Sequence, residues 1–465
     1  MFFNTFEINI LLMTKKTLQI FLIFLFTYST CFFAQNSWTS AEFPNQEEFL
    51  QNLKNQHDFQ LKKYENTVAL DSIYKWRYNY TNELLDNDFI IYKDSLYNFV
   101  ENIFDEIILS NPELSNYNLR FLISKTPYPN AISIGDGTFI INLGLIRKLD
   151  NEDQLAFILC HEISHFYLDH SNQSAIKRIE KQNSKEYEEE IEAITSTKYG
   201  KYNLLKAKLR KNLYKQMSFS RKFEKESDSL GLLFFKNTKY DSRESVSCLK
   251  LLDTIDYYKF SKKIDFKKTF NTEKFKFKNR WLVEEKVMFG GSISDDFFER
   301  DSIKSHPDSK LRARILEDYL TNTNESIDNN KNNKNFEDFK SQADFEFIKS
   351  WVFYENYGRA LFFCLKQLQV DEDNRFLINM SSNLLRLIYD SHSNHTFGQH
   401  VDRPSSENEK EYNQFLNFID KISLSRMAEL CYHFHLKHLE ELKDEKTFFN
   451  NYNYFNIEYH KKTKK

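Results

Sequence analysis

Gly135, Gly137 and Gly144 are three of only nine glycines in a 465-residue chain, and they fall within ten residues of one another. Glycine collects where a backbone must turn tightly or approach another segment closely. The flanking stretches LRFLIS (119–124) and TFIINL (138–143) are short, β-branched and aromatic, as strands are, and NAISIGDG (130–137) reads as a strand running into a turn. A small sheet is therefore expected over 119–143. Elsewhere the chain has few means of turning, with six prolines against 45 Phe and 26 Tyr. That balance favours long helices with aromatic cores over a turn-rich all-β fold.

Residues 36–115 read mostly as helix with polar joints. Leu96, Phe99, Val100, Ile103, Ile107 and Ile108 lie on one helical face, which Asn111-Pro112 stops. A second helix is expected from Asn151, a capping residue followed by Glu152 and Asp153 in the first turn. Residues 171–216 are charged and helical, the pattern of a solvated face. Ser218–Phe235 (SFSRKFEKESDSLGLLFF) reads as another helix. The polar, low-complexity stretch Thr321–Asn335 is the best domain boundary. Beyond it the chain is helical again, with a polar loop expected around Asp390–Asn408.

The second of these helices carries the chemistry, in CHEISHFYLDH (Cys160–His170). Residues four apart in a helix share a face, so His161 and His165 present two imidazoles to one point. Zinc takes imidazole nitrogen and prefers four ligands, one position staying open for water in catalytic sites. Glu162 follows the first histidine and reaches that water without being a ligand, as the general base of a peptide hydrolase would. With 12 histidines in the chain, chance supplies such a pattern on the order of 0.02 times. The alternative is two satisfied core histidines. A third ligand is needed, and SRKFEKESD offers Glu224 or Glu226. From chemistry alone both carboxylates remain open. Asp228, one turn beyond Glu224, could accept a hydrogen bond from a ligand histidine.

Other features bound the reading. Net charge is −3, so nothing calls for nucleic acid or an anionic membrane surface. Lys15 and Lys16 precede the apolar run LQIFLIFLF, and Ala34 ends the softer stretch after it; this pattern predicts a secretory signal. An uncleaved membrane anchor and lipid attachment at Cys31 compete with cleavage. All three place the bulk of the chain outside the cytoplasm, with membrane contact only through the N-terminal segment. Cys160, Cys248, Cys364 and Cys431 have no paired spacing that chooses a disulfide, and Cys160 is expected free and buried. His392, His395 and His400, and separately His433, His435 and His438, lack a carboxylate or cysteine partner at a recognised metal spacing.

HEISH, then SRKFEKESDSLG, then SHPDSKLRARI (305–315) resembles the HtpX-like and BepA-like zinc metallopeptidases, the family that also holds the CAAX prenyl endopeptidases. The family's pattern is HExxH, a later ExxxD helix, and a His-Pro before an Arg-containing helix. The resemblance selects Glu224 as third ligand and Asp228 as its companion, not Glu226. It also selects His306, which it implies supports the transition state or occludes the open metal position. NAISIGDGTFIINLGLI resembles the segment before the metal helix, which implies that Asn130 and Ala131 lie on the edge that aligns substrate, a known recognition mode. Ser227 departs from the usual Ala, and the charged insert between the metal helix and Glu224 is longer than usual. The chain lacks the several apolar spans of the family's integral membrane members. NYGRALFFCLKQLQVDEDN (356–374) resembles the second helix of a tetratricopeptide repeat, although Glu372 replaces the usual Pro and no 34-residue period is evident.

The expectation is an α+β, mostly helical chain: residues 1–34 a signal peptide or anchor, 35–320 a zincin-like metallopeptidase domain, 321–342 a polar linker, and 343–465 a helical, repeat-like domain. The resemblance implies one zinc per chain, held by His161, His165 and Glu224, with Glu162 as base. It implies a zinc endopeptidase of exported or envelope proteins, acting on unfolded or misassembled substrates, with an assembly partner for the helical domain. The rival is a chaperone-like assembly factor whose zinc site is kept latent by His306.

Overall fold

The computed structural model describes residues 43, 45–62, 67–196, 221–255, 262–283, 308–321, 334–405 and 408–463. The chain divides into two compact units, one of residues 38–259 and 286–350, the other holding 260–285 and 351–465. Residues 262–283, assigned on sequence to the peptidase domain, therefore pack with the C-terminal helices. The N-terminal apolar run and His306 lie outside the described residues.

The first unit opens with helices α1 (Gln46–Leu61) and α2 (Thr67–Asp86), a short strand β1 (Ile90–Ile91) and helix α3 (Ser95–Ser110). Asp94 caps α3 by accepting from the Leu96 N–H, a contact worth about 1 kcal/mol. The helix stops where Pro112 makes continuation costly, as the sequence suggests. The Asn111 side chain closes it by donating to Ile107 O at 2.8 Å and to Phe234 O at 3.1 Å.

Strands β2 (Arg120–Ser124), β3 (Ala131–Ser133) and β4 (Thr138–Asn142) complete a four-stranded sheet of order β1-β2-β4-β3. β1 and β3 run antiparallel to their neighbours, while β2 and β4 are parallel. β3 is thus an edge strand. Its turn into β4 takes Gly135 to φ 92° and Gly137 to φ 89°, a region L side chains rarely enter. Between them the Asp136 side chain is fully buried, accepting from His57 Nε2 at 2.9 Å and from the Thr138 N–H at 2.9 Å. Two consecutive isoleucines gave no strand signal, so β1 is an element that the sequence reading missed.

Helix α4 (Glu152–Tyr167) begins at Asn151, whose Oδ1 accepts from the Gln154 N–H at 2.9 Å. It is buried all round, from Asp153 to Ser164. Its Leu155, Leu159 and Ile163 share one core with Val100 and Ile103 of α3, Phe139 and Ile141 of β4, and Phe234 and Phe235. Each such side chain contributes about 1.5–3 kcal/mol when fully buried, which ties α4 firmly into the core of this unit. Helices α5 (His170–Gln182), α6 (Lys185–Ser196), α7 (221–236), α8 (Glu244–Leu252) and α9 (Ser309–Thr321) follow. Helix α10 (Lys334–Phe353) belongs mostly to this unit.

The second unit is helical: α11 (Tyr357–Leu368), α12 (Arg375–Ser393), α13 (Lys410–Lys421), α14 (Leu424–Leu442) and α15 (Lys446–Thr463). α11 packs on α12, α12 on α14, and α14 on α15. Phe266, Phe277 and Trp281 from segment 262–283 gather around Phe418 of α13. The expected loop at Asp390–Asn408 starts later than its polar composition suggested, since α12 runs to Ser393 and a short helix spans Phe397–His400. Among the described residues no helix is long and apolar enough to cross a membrane.

Candidate metal centre

Two helices supply the site. On α4, His161 and His165 project from successive turns, with Nε2 atoms 3.1 Å apart. On α7, Glu224 faces both: Oε2 is 3.5 Å from His161 Nε2, and Oε1 is 3.4 Å from His165 Nε2. These three make the one cluster of metal-ligating groups among the described residues. Zinc–ligand bonds of 2.0–2.1 Å arranged tetrahedrally put neighbouring donor atoms about 3.3 Å apart. The two imidazole nitrogens, and each nitrogen with its nearer Glu224 oxygen, are thus spaced about as neighbouring donors on one zinc are, in a nitrogen-nitrogen-oxygen set that zinc accepts. The residues present fit the ion.

The helices come this close because of Gly231. A Cβ on that residue would stand 3.1 Å from both Cα and N of His161. The glycine sits in SDSLG, seven residues after Glu224, and lets α7 lie against the backbone of the first histidine.

Around the cluster the charges are fixed. Asp228 Oδ1 lies 3.1 Å from His161 Nδ1. The guanidinium of Arg312, on α9 and almost wholly buried, donates to both oxygens of Asp228. Its remaining nitrogen is 2.6 Å from Glu224 Oε2. Burial alone would push the Asp228 carboxyl up, but Arg312 and His161 hold it below its ordinary value. Burial likewise opposes a charged His161, yet Asp228 and Glu224 outweigh it and raise the imidazole to about 9. The pocket attracts positive charge, as a cation site must.

Glu162 takes its hydrogen bond from the neighbouring strand. Its Oε2 accepts from the Ser133 N–H at 2.8 Å, so a residue between the two histidines is anchored to edge strand β3. Ser133 O also accepts from Ser171 Oγ at 3.1 Å. Both outward-facing backbone groups of Ser133 are thereby taken. Asn130 O accepts from the Asn142 N–H and the Ile134 N–H donates to Thr138 O, so pairing with β4 uses Asn130, Ile132 and Ile134 and turns Ala131 outward. No partner for the outward groups of Ala131 occurs among the described residues. The side-chain oxygen of Asn130 is buried without a hydrogen-bond partner there.

Thus the structure brings together His161, His165, Glu224, Asp228 and Glu162, with Asn130 and Ala131 on the neighbouring edge. Glu226, the competing carboxylate, points elsewhere, to His170 Nε2 at 3.1 Å. Sequence reasoning missed Arg312, His170 and Ser133. Arg312 had a signal, since the resemblance asked for an Arg-containing helix after His-Pro, but nothing separated it from Arg314. His435 and His392 are engaged in the second unit's own packing. His435 is buried, with Nδ1 donating to Cys431 O at 2.6 Å and Nε2 accepting from Ser382 Oγ at 2.7 Å, and burial depresses its pKa to about 4. His392 lies within α12, not in a loop, and stacks on Phe397.

Residues 95–320 match the family model described as Peptidase family M48. The chain is 30% identical over 96 residues to Metalloendopeptidase OMA1, mitochondrial, of Bos taurus, and 29% identical over 96 residues to its Homo sapiens counterpart. In each comparison the match covers 20% of this chain and 18% of the relative, so the chain spans under a fifth of the length of the curated proteins it resembles.

Proposed function

Through residues 95–320 the chain belongs to peptidase family M48, and from that premise we propose that it is a zinc-dependent endopeptidase. His161, His165 and Glu224 would hold one zinc. When bound, the ion supplies a Lewis acid that acidifies water and polarises a carbonyl. Glu162 would accept the proton of the attacking water and then deliver it to the leaving amine. The observation that carries this reading is the 2.8 Å hydrogen bond from the Ser133 N–H to Glu162. It ties the proton acceptor to the strand edge on which an extended peptide would add. Ala131 would pair with the substrate backbone, and the unpartnered Asn130 carboxamide would accept from it.

Substrates would be unfolded or misassembled exported or envelope proteins, reached after export by the N-terminal segment. The helical unit would act as a tetratricopeptide-like module, holding substrate or an assembly partner. This is supported by the succession of packed helices α11, α12, α14 and α15 and by buried Ala360 at the small position of α11. His306 would gate or assist the open metal position.

The test is casein proteolysis by the purified chain with zinc quantified, beside Glu162→Gln. One zinc per chain, with cleavage lowered at least about 10²–10⁴-fold in Glu162→Gln, is expected. Bound zinc with no cleavage, also after His306→Ala, would favour a latent assembly factor. No bound zinc would overturn the proposal.

A further inference from the structure

Behind His161 stands a carboxylate, Asp228. Behind His165 stands another histidine. His170 Nδ1 is 3.1 Å from His165 Nδ1, and His170 Nε2 is 3.1 Å from Glu226 Oε2. The His170 ring is 3% exposed. It stacks on Phe223 with centroids 4.0 Å apart and planes 16° from parallel. Asp169 directs it there: this residue takes the left-handed conformation, φ 59° and ψ 29°, and α5 starts in a new direction at His170.

The proton positions follow from which groups can only accept. Glu226, as a carboxylate, offers no proton, so His170 carries its own on Nε2 and leaves Nδ1 bare. His165 turns Nε2 to the cluster with His161 and Glu224, where a metal needs the lone pair, so its proton sits on Nδ1. The two hydrogen bonds then run the same way, from His165 Nδ1–H to His170 Nδ1 and from His170 Nε2–H to Glu226. The nearby Ser227 hydroxyl, 3.2 Å from His170 Nδ1, also faces the bare nitrogen as a donor.

We propose that His170 and Glu226 are positioning residues for the metal centre: they fix the tautomer and ring plane of His165, as Asp228 does for His161. The inference rests on the zinc reading of His161, His165 and Glu224. It gives a role to Glu226, which lies two residues from the third ligand and faces away from the cluster. Because the acceptor behind His165 is a neutral ring, this ligand is a weaker electron donor than His161.

The test is a zinc titration of the metal-stripped full chain against a chromogenic chelator, with the melting temperature of each metal-free variant recorded. Wild type, His170→Ala, His170→Asn and Glu226→Ala are compared. His170→Ala is expected to weaken zinc about 10–100-fold, Glu226→Ala to fall between it and wild type, and His170→Asn, which keeps an acceptor at the Nδ1 position, to recover most of the loss. Wild type that binds no zinc sinks the metal site itself. Zinc bound by wild type and by His170→Ala with the same affinity overturns only this proposal. So does His170→Asn binding as weakly as His170→Ala, since the lost ring stacking would then be the cause. If His170→Ala does not fold, the Asn and Glu226 variants decide.

Discussion

Arg312 grips Asp228 with two parallel hydrogen bonds, Nε to Oδ2 and Nη2 to Oδ1, each 2.6 Å long. With its third nitrogen on Glu224, one guanidinium sets the separation between Glu224 and Asp228, the carboxylate beside His161. Lysine cannot reproduce this planar fork. Arg312→Lys is expected to weaken zinc binding and, by keeping the charge but leaving hydrogen bonds of the buried carboxylates unmade, to cost about 1–3 kcal/mol. Denaturant unfolding and chelator competition would check this; unchanged values in both would refute the clamp.

Zinc affinity is expected to rise with pH. With His161 raised to about 9 in the metal-free site, zinc must displace its proton below that pH. The apparent association constant should gain about tenfold per pH unit from this group up to pH 9, and flatten above it. The metal-free chain should show the opposite trend. The stability given by charged His161 is complete below the ordinary histidine value, near 6.5, and is lost as pH rises through about 9. A flat zinc affinity between pH 6 and pH 9 would contradict the assignment.

Gly231→Ala sets two effects against each other. Alanine favours the helix by about 1 kcal/mol, but its methyl must enter a gap of 3.1 Å against the His161 backbone. Backbone atoms in a core helix have little room to yield, so separation of α7 from α4 should win. The expected readout is weaker zinc binding with little change in helical content by circular dichroism. A bulkier Gly231→Val should abolish zinc binding.

Cys160, Cys248, Cys364 and Cys431 are unpaired and buried, and burial pushes all four thiols well above their usual pKa. Thiolate is the reactive form. Alkylation of the native chain, mapped by mass spectrometry, should spare these four and reach them only in denaturant. Rapid labelling of any one would show that its surroundings open readily.

Much of this was legible in the residues. Asn151 before Glu152 and Asp153 announced the start of α4, and the spacing of His161 and His165 put both on one face. The glycines at 135 and 137 marked the β3–β4 turn. Other features were not legible, for physical reasons. Glu224 and Glu226 differ in sequence only by two positions; which one faces α4 is set by how α7 rotates onto Gly231. His170 lies beyond a left-handed residue, so helical spacing from His165 says nothing about where its ring goes. Burial of Arg312 depends on partners 84 and 88 positions earlier. The gathering of Phe266, Phe277 and Trp281 on Phe418 spans well over a hundred residues, with no local pattern to announce it.

The edge of the sheet carries one further consequence. An exposed strand edge is a template on which any extended chain, including another copy of the same protein, can add and grow into an aggregate. An enzyme for unfolded chains, the role proposed above, would meet such material constantly. Here Glu162 and Ser171 occupy both outward groups of Ser133, so among the described residues only Ala131 of β3 keeps its outward groups to pair. On the proposed reading, an edge that short would orient one peptide across the site while giving a second copy too little backbone to grow on.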